Sequence, residues 1–149
     1  MKPVLQALVL AERIFEATNG QKIIAGTFNG IHFARRPAAL DEVENGTLKV
    51  VAGDHRGPPW AYISLTDVCN DTKLDLQFVS LVKNKVLFET SITIGHVNRL
   101  ETVELVIPLP ALNVPEPGMY AFEVVCEGEI VGSHRLMALQ DDTEGEENA

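Results

Sequence analysis

Positive charge is in short supply in this sequence. Its 149 residues hold 12 Lys and Arg against 21 Asp and Glu, for a formal net charge of −9 at pH 7. A nucleic-acid partner needs a basic face for its phosphates, so none is expected. Cysteine is scarce as well. Cys69 and Cys126 stand alone and form no CxxC, which excludes a disulfide scaffold. They read as reduced, partly buried thiols. No apolar run approaches the roughly 20 residues of a membrane-spanning helix. The opening MKPVLQALVLAERIF carries a short apolar run holding Gln6 and closed by Glu12 and Arg13, with no small-residue cleavage site. A signal peptide is therefore not expected, and the cytoplasm is the expected compartment.

Catalytic motifs are missing too. GxSxG, the P-loop and GxGxxG do not occur. His32, His55, His96 and His134 sit at no metal-ligand spacing. A zinc set of His55, Asp67 and Cys69 is conceivable across one sheet end. A turn-opening Asp67 and a space-filling Cys69 explain two of the three without a metal. His134 reads as a hydrogen-bonded, semi-buried histidine in phase with Ile130 and Leu136. No enzyme, cofactor or metal is expected.

What the sequence does have is alternation. Leu74, Leu76 and Phe78 share one phase against Asp75 and Gln77. Val86, Phe88, Ile92 and Ile94 oppose Glu89, Ser91 and Thr93; Val103, Leu105 and Ile107 form another set; Tyr120, Phe122, Val124 and Cys126 a fourth. Period two is the mark of half-buried strands. Turn chemistry separates them at 69–73 and 82–85, and the proline-punctuated 108–118 reads as a crossover. Cys126-Glu127-Gly128-Glu129 reads as a tight hairpin. Residues 4–16 allow a helix or a strand. The T-N-G-Q turn with Ile23, Ile24 and Thr27 after it favours a hairpin, whose first strand is apolar in both phases over 4–11 and so expected to be central.

Residues 34–59 form the longest irregular stretch, with a short strand expected at 48–52. Arg35, Arg36, His55 and Arg56 make it the densest cationic cluster. Pro58 and Pro59 end it, so the next strand begins near Trp60. Ala61, Ile63 and Leu65 then face the core, leaving Trp60 and Tyr62 on the other side. Such a patch rarely stays bare, and part of residues 34–57 is expected to cover it, with a second subunit or a ligand as the alternatives. Asp141, Asp142, Glu144, Glu146 and Glu147 close the chain without a cation. The expected organisation is one domain over 1–139 and a disordered, solvating acidic tail over 140–149.

Two stretches, ALVLAERIFEATNGQKIIAGTFNGI (7–31) and VPEPGMYAFEVVCEGEIVGSHRLMA (114–138), resemble a family of small uncharacterised bacterial β-sandwich proteins, a domain of unknown function. The second also resembles the PG-x-Y-x-F-x-V close of immunoglobulin-like sandwiches, where Gly118 allows the turn into the strand and the Tyr120 hydroxyl ties the strand to its corner. The resemblance supports a fold and supplies no site residues.

The resulting fold class is all-β: an immunoglobulin-like or C2-like two-sheet sandwich of about eight antiparallel strands, with Greek-key connections. The expected function is a non-catalytic cytoplasmic module for protein binding or assembly, partnered by a second copy or another protein, with no membrane contact. The alternative is a small-molecule or carbohydrate site, or a hydrolase, in a pocket between the 34–59 loop and Trp60 and Tyr62. Candidate interaction residues are Arg35, Arg36, His55, Arg56, Trp60 and Tyr62.

Overall fold

A computed structural model of the chain describes residues 2–34 and 58–141. Its regular elements are β1 (Val4–Glu16), β2 (Lys22–Thr27), β3 (Gly30–Ala34), β4 (Trp60–Thr66), β5 (Thr72–Ser80), β6 (Lys85–Ile94), β7 (Val103–Pro108), β8 (Gly118–Cys126) and β9 (Glu129–Asp141). They form two sheets: sheet A in the order β2-β1-β4-β7, and sheet B in the order β3-β9-β8-β5-β6. Among the described residues there is no helix, hence none long and apolar enough to cross a membrane.

Alternation decides what lies between the sheets. Leu10, Ile63 and Leu65 of sheet A join Leu74, Leu76, Phe78, Phe122 and Leu136 of sheet B in one buried cluster. Phe78 stacks between Phe88 and Tyr120, with ring centroids 5.6 and 5.5 Å apart. Aromatic burial of this kind removes roughly 150–250 Å² per ring from water. At one point the approach is very close: a Cβ on Gly132 of β9 would lie 2.0 Å from Leu5 Cδ2 of β1, so any side chain there requires Leu5 to move.

The chain passes repeatedly from one sheet to the other, so the fold is no simple meander. The 108–118 stretch is one such crossover, and it lays Leu109, Leu112 and Val114 into the core. It turns into β8 at Gly118, φ +145°, and is tied by the Tyr120 hydroxyl donating to the Glu116 carbonyl at 2.6 Å. Burial raises the Tyr120 phenol above its ordinary value. Both expected hairpins form. In the first, Gly20 N–H donates to the Ala17 carbonyl at 2.8 Å between β1 and β2. In the second, Glu127 and Gly128 both take positive φ, 53° and 78°, as a two-residue hairpin turn requires.

Three expectations change. The described residues hold nine strands, and β3 runs parallel to β9, where about eight antiparallel strands were expected. A parallel partner arrives over a long connection and leaves no local signal. The alternation also slips at bulges, which put two residues opposite one. Between β5 and β6 the register moves from Phe78–Phe88 to Val79–Val86, so Leu87 is extra and Val86 leaves the Phe88 face. Between β8 and β9 it moves from Val124–Gly132 to Val125–Ile130, so Ile130 leaves the face of His134 and Leu136. The strand expected at 48–52 lies outside the described residues, as does most of the 34–59 stretch.

Candidate functional site

β4 divides its two faces sharply. Ala61, Ile63 and Leu65 are fully buried between the sheets, while Trp60 and Tyr62 are half-buried on the other side. Cross-strand partners share a face, so pairing maps out the rest of that surface. Trp60 lies opposite Ala11 and Pro108; Tyr62 opposite Val9 and Val106; Ser64 opposite Ala7 and Glu104. Along β1 the same phase continues through Ala11–Thr27, Arg13–Ala25 and Phe15–Ile23. The outer face of sheet A is therefore apolar, with Arg13 and Glu104 its two charges. Among the described strands none lies across it.

Its polar groups are sparsely connected. The Tyr62 hydroxyl donates to Glu104 Oε2. Burial, then that hydrogen bond and the Glu104 charge, push the Tyr62 phenol above its ordinary value of 10.0. Gln6, the extra residue of a bulge between Leu5 and Ala7, donates from Nε2 to Thr66 Oγ1 at 2.9 Å.

The face continues onto an arm. β4 pairs with β1 from Val4 to Ala11; past that point, among the described residues, β1 pairs with β2 alone, as a two-stranded ribbon. A ribbon of two strands is marginal by itself in water. This one leaves Phe15 and Ile23, cross-strand neighbours, 51% and 52% exposed.

Trp60 and Tyr62 thus fall together on one surface. Arg35, Arg36, His55 and Arg56 lie outside the described residues. Asp67 sits in the turn after β4 at φ 56°, with its carboxylate 3.9 Å from Arg99 Nε. His134 Nε2 is 3.0 Å from the Phe28 carbonyl, to which it donates. Cys69 and Cys126 both line an open depression of about 450 Å³ beside Asp71, Lys73 and Glu127. Burial, then the Glu127 charge, raises the Cys126 thiol, which keeps it protonated and a poor nucleophile at neutral pH. Among the described residues no three His, Cys, Asp or Glu side chains gather as a metal ion would need.

Phe15, Ile23, Val106, Arg13 and Glu104 were not singled out from the sequence. Phe15 and Ile23 carried a usable signal, because large apolar residues flanking a tight turn at equal distances pair across the hairpin. Val106 and Glu104 carried none, being joined to Tyr62 and Ser64 by pairing across some forty residues.

A family model matches residues 6–138, from within β1 to within β9. The chain belongs to DUF6941, a family of unknown function. The matched span takes in β2 to β8 whole and most of β1 and β9, so the apolar face and its arm lie almost entirely within the family domain. No curated protein matches the chain.

Proposed function

We propose that the protein is a non-catalytic module for protein binding or assembly, built on an immunoglobulin-like or C2-like sandwich, and that it works through the outer face of sheet A. The carrying observation is the composition of that face: Trp60, Tyr62, Val9 and Val106 lie together, and beyond Ala11 and Arg13 the same phase ends in the exposed Phe15–Ile23 pair. Contiguous apolar surface with a central aromatic pair is the make-up of a protein contact. The tie from Tyr120 to the Glu116 carbonyl resembles the tyrosine corner of immunoglobulin-like sandwiches and supports that fold name. A carbohydrate platform is less well supported. Stacking needs rings open on one side, and here both rings are half-buried, with the Tyr62 hydroxyl engaged by Glu104.

Hydroxyl-radical labelling tests the reading by comparing dilute purified protein with the same protein in an extract of its source cells. Phe15, Trp60 and Tyr62 are expected to react several-fold more slowly in the extract. Met119 and Met137, partners on the opposite outer face, serve as the internal control and should not change. Equal labelling of the aromatic residues in both samples, in a purified chain that stays monomeric, would overturn the reading.

A further inference from the structure

Resting on that reading, we infer that the occupant of the sheet A face is a second copy of this chain, packed face to face about a twofold axis. Charge is the first argument. Each copy carries a net −9, so two copies repel over most of their surfaces. The sheet A face is where this opposition vanishes, since its charges are one cation, Arg13, and one anion, Glu104. The two do not neutralise each other within one chain. Glu104 is level with Ser64 and Ala7, and from Ala7 to Arg13 the strand advances roughly 20 Å. Arg13 is exposed and forms no ion pair among the described residues. A twofold axis lying in the contact plane and exchanging these two positions sets Arg13 of each copy against Glu104 of the other. One self-complementary patch then makes two identical pairs, which is the defining property of an isologous contact.

Area is the second argument. Three strands about 4.8 Å apart, each running some seven residues at about 3.3 Å, give a footprint near 330 Å², and the arm adds roughly 150 Å². Two such surfaces come to roughly 960 Å² in flat projection, which side-chain relief carries toward the lower range of specific interfaces, about 1,200 Å² in total. The arm supplies the third. Phe15 and Ile23 project past the strands that pair with β4, and this is where a ribbon needs a surface to lie on. Packed face to face, each arm extends over the partner copy.

Sedimentation velocity of the full-length chain through the micromolar range tests this, with a charge exchange. The wild type is expected to dimerise. Arg13→Glu and Glu104→Arg, both at exposed positions, should each weaken the dimer by about tenfold, and the double variant should recover most of the loss. A monomer at every concentration, or single variants that associate as the wild type does, would overturn the inference. The broader reading fails separately. A monomeric purified chain whose aromatic residues are shielded in extract binds a different protein there; absence of both dimer and shielding removes both proposals.

Discussion

The two outer faces of this molecule are built from the same kind of strand and differ in how many charged and polar side chains they carry. On sheet B the outward residues of neighbouring strands are joined to one another. Gln77 donates to Glu123 at 2.8 Å, Ser91 donates to Asp75 at 2.6 Å, and Lys73, Glu89 and Arg135 share the surface. Glu123 is buried there, 8% exposed, and tolerates it because its oxygen has a donor. On sheet A the equivalent positions carry Val9, Ala11, Trp60, Val106 and Phe15. A hydrogen-bonded outer face satisfies itself within one chain. Val86, Ile130 and Met137 are exposed on the sheet B face as well, so what sets sheet A apart is its scarcity of charge, and the proposed contact is placed there for that reason.

The comparison breaks most visibly if charge is written onto the apolar face. Replacing Phe15 and Ile23 together by Glu should weaken association by about 2–4 kcal/mol, since truncated or charged anchors dominate such contacts. The monomer's thermal midpoint should stay nearly unchanged, because both side chains already stand half in water. Sedimentation together with circular dichroism separates the two effects. A smaller change belongs to the layer between the faces. Gly132→Ala sets a Cβ against Leu5 Cδ2 and should cost about 1–3 kcal/mol of stability by overpacking. Leu5→Ala in the same chain should return part of that, as denaturant titration would show.

Smaller still is the effect on the hydrogen-bonded face. Glu123→Ala leaves the Gln77 amide without its acceptor and should cost about 1–2 kcal/mol in stability while leaving association untouched. An equal loss of association would erase the distinction between the faces. The smallest effect is alkaline. Tyr62 and Tyr120 both have folded-state values raised above 10.0, so the neutral phenol is favoured by folding. Their contribution is complete below pH 10 and is lost as the pH rises through the raised folded values. Tyr62→Phe should flatten that decline in a pH-dependent melting series, and Tyr120→Phe should do so as well.

Much of this architecture was readable before any coordinates. The Leu74–Phe78, Val103–Ile107 and Tyr120–Cys126 alternations point into the core as their spacing implies, because each of those runs has no bulge within it. Val86 and Ile130 were misread where Leu87 and Val131 interrupt the period, since a bulge residue has no compositional mark. The site was half legible. Trp60 and Tyr62 stood out by residue type, and their orientation followed from Ala61, Ile63 and Leu65. The surface they belong to did not, because it is assembled from β1, β2, β4 and β7, and strand order is set by long-range pairing that local patterns do not encode.

Trp60 is the single tryptophan of the chain and sits within the face in question. Acrylamide quenching of its fluorescence, followed as the protein concentration is raised through the micromolar range, therefore tests the central claim most directly. The account predicts a quenching slope that falls as copies associate in the wild type and stays constant in Arg13→Glu over the same range. A slope independent of concentration in the wild type would contradict it.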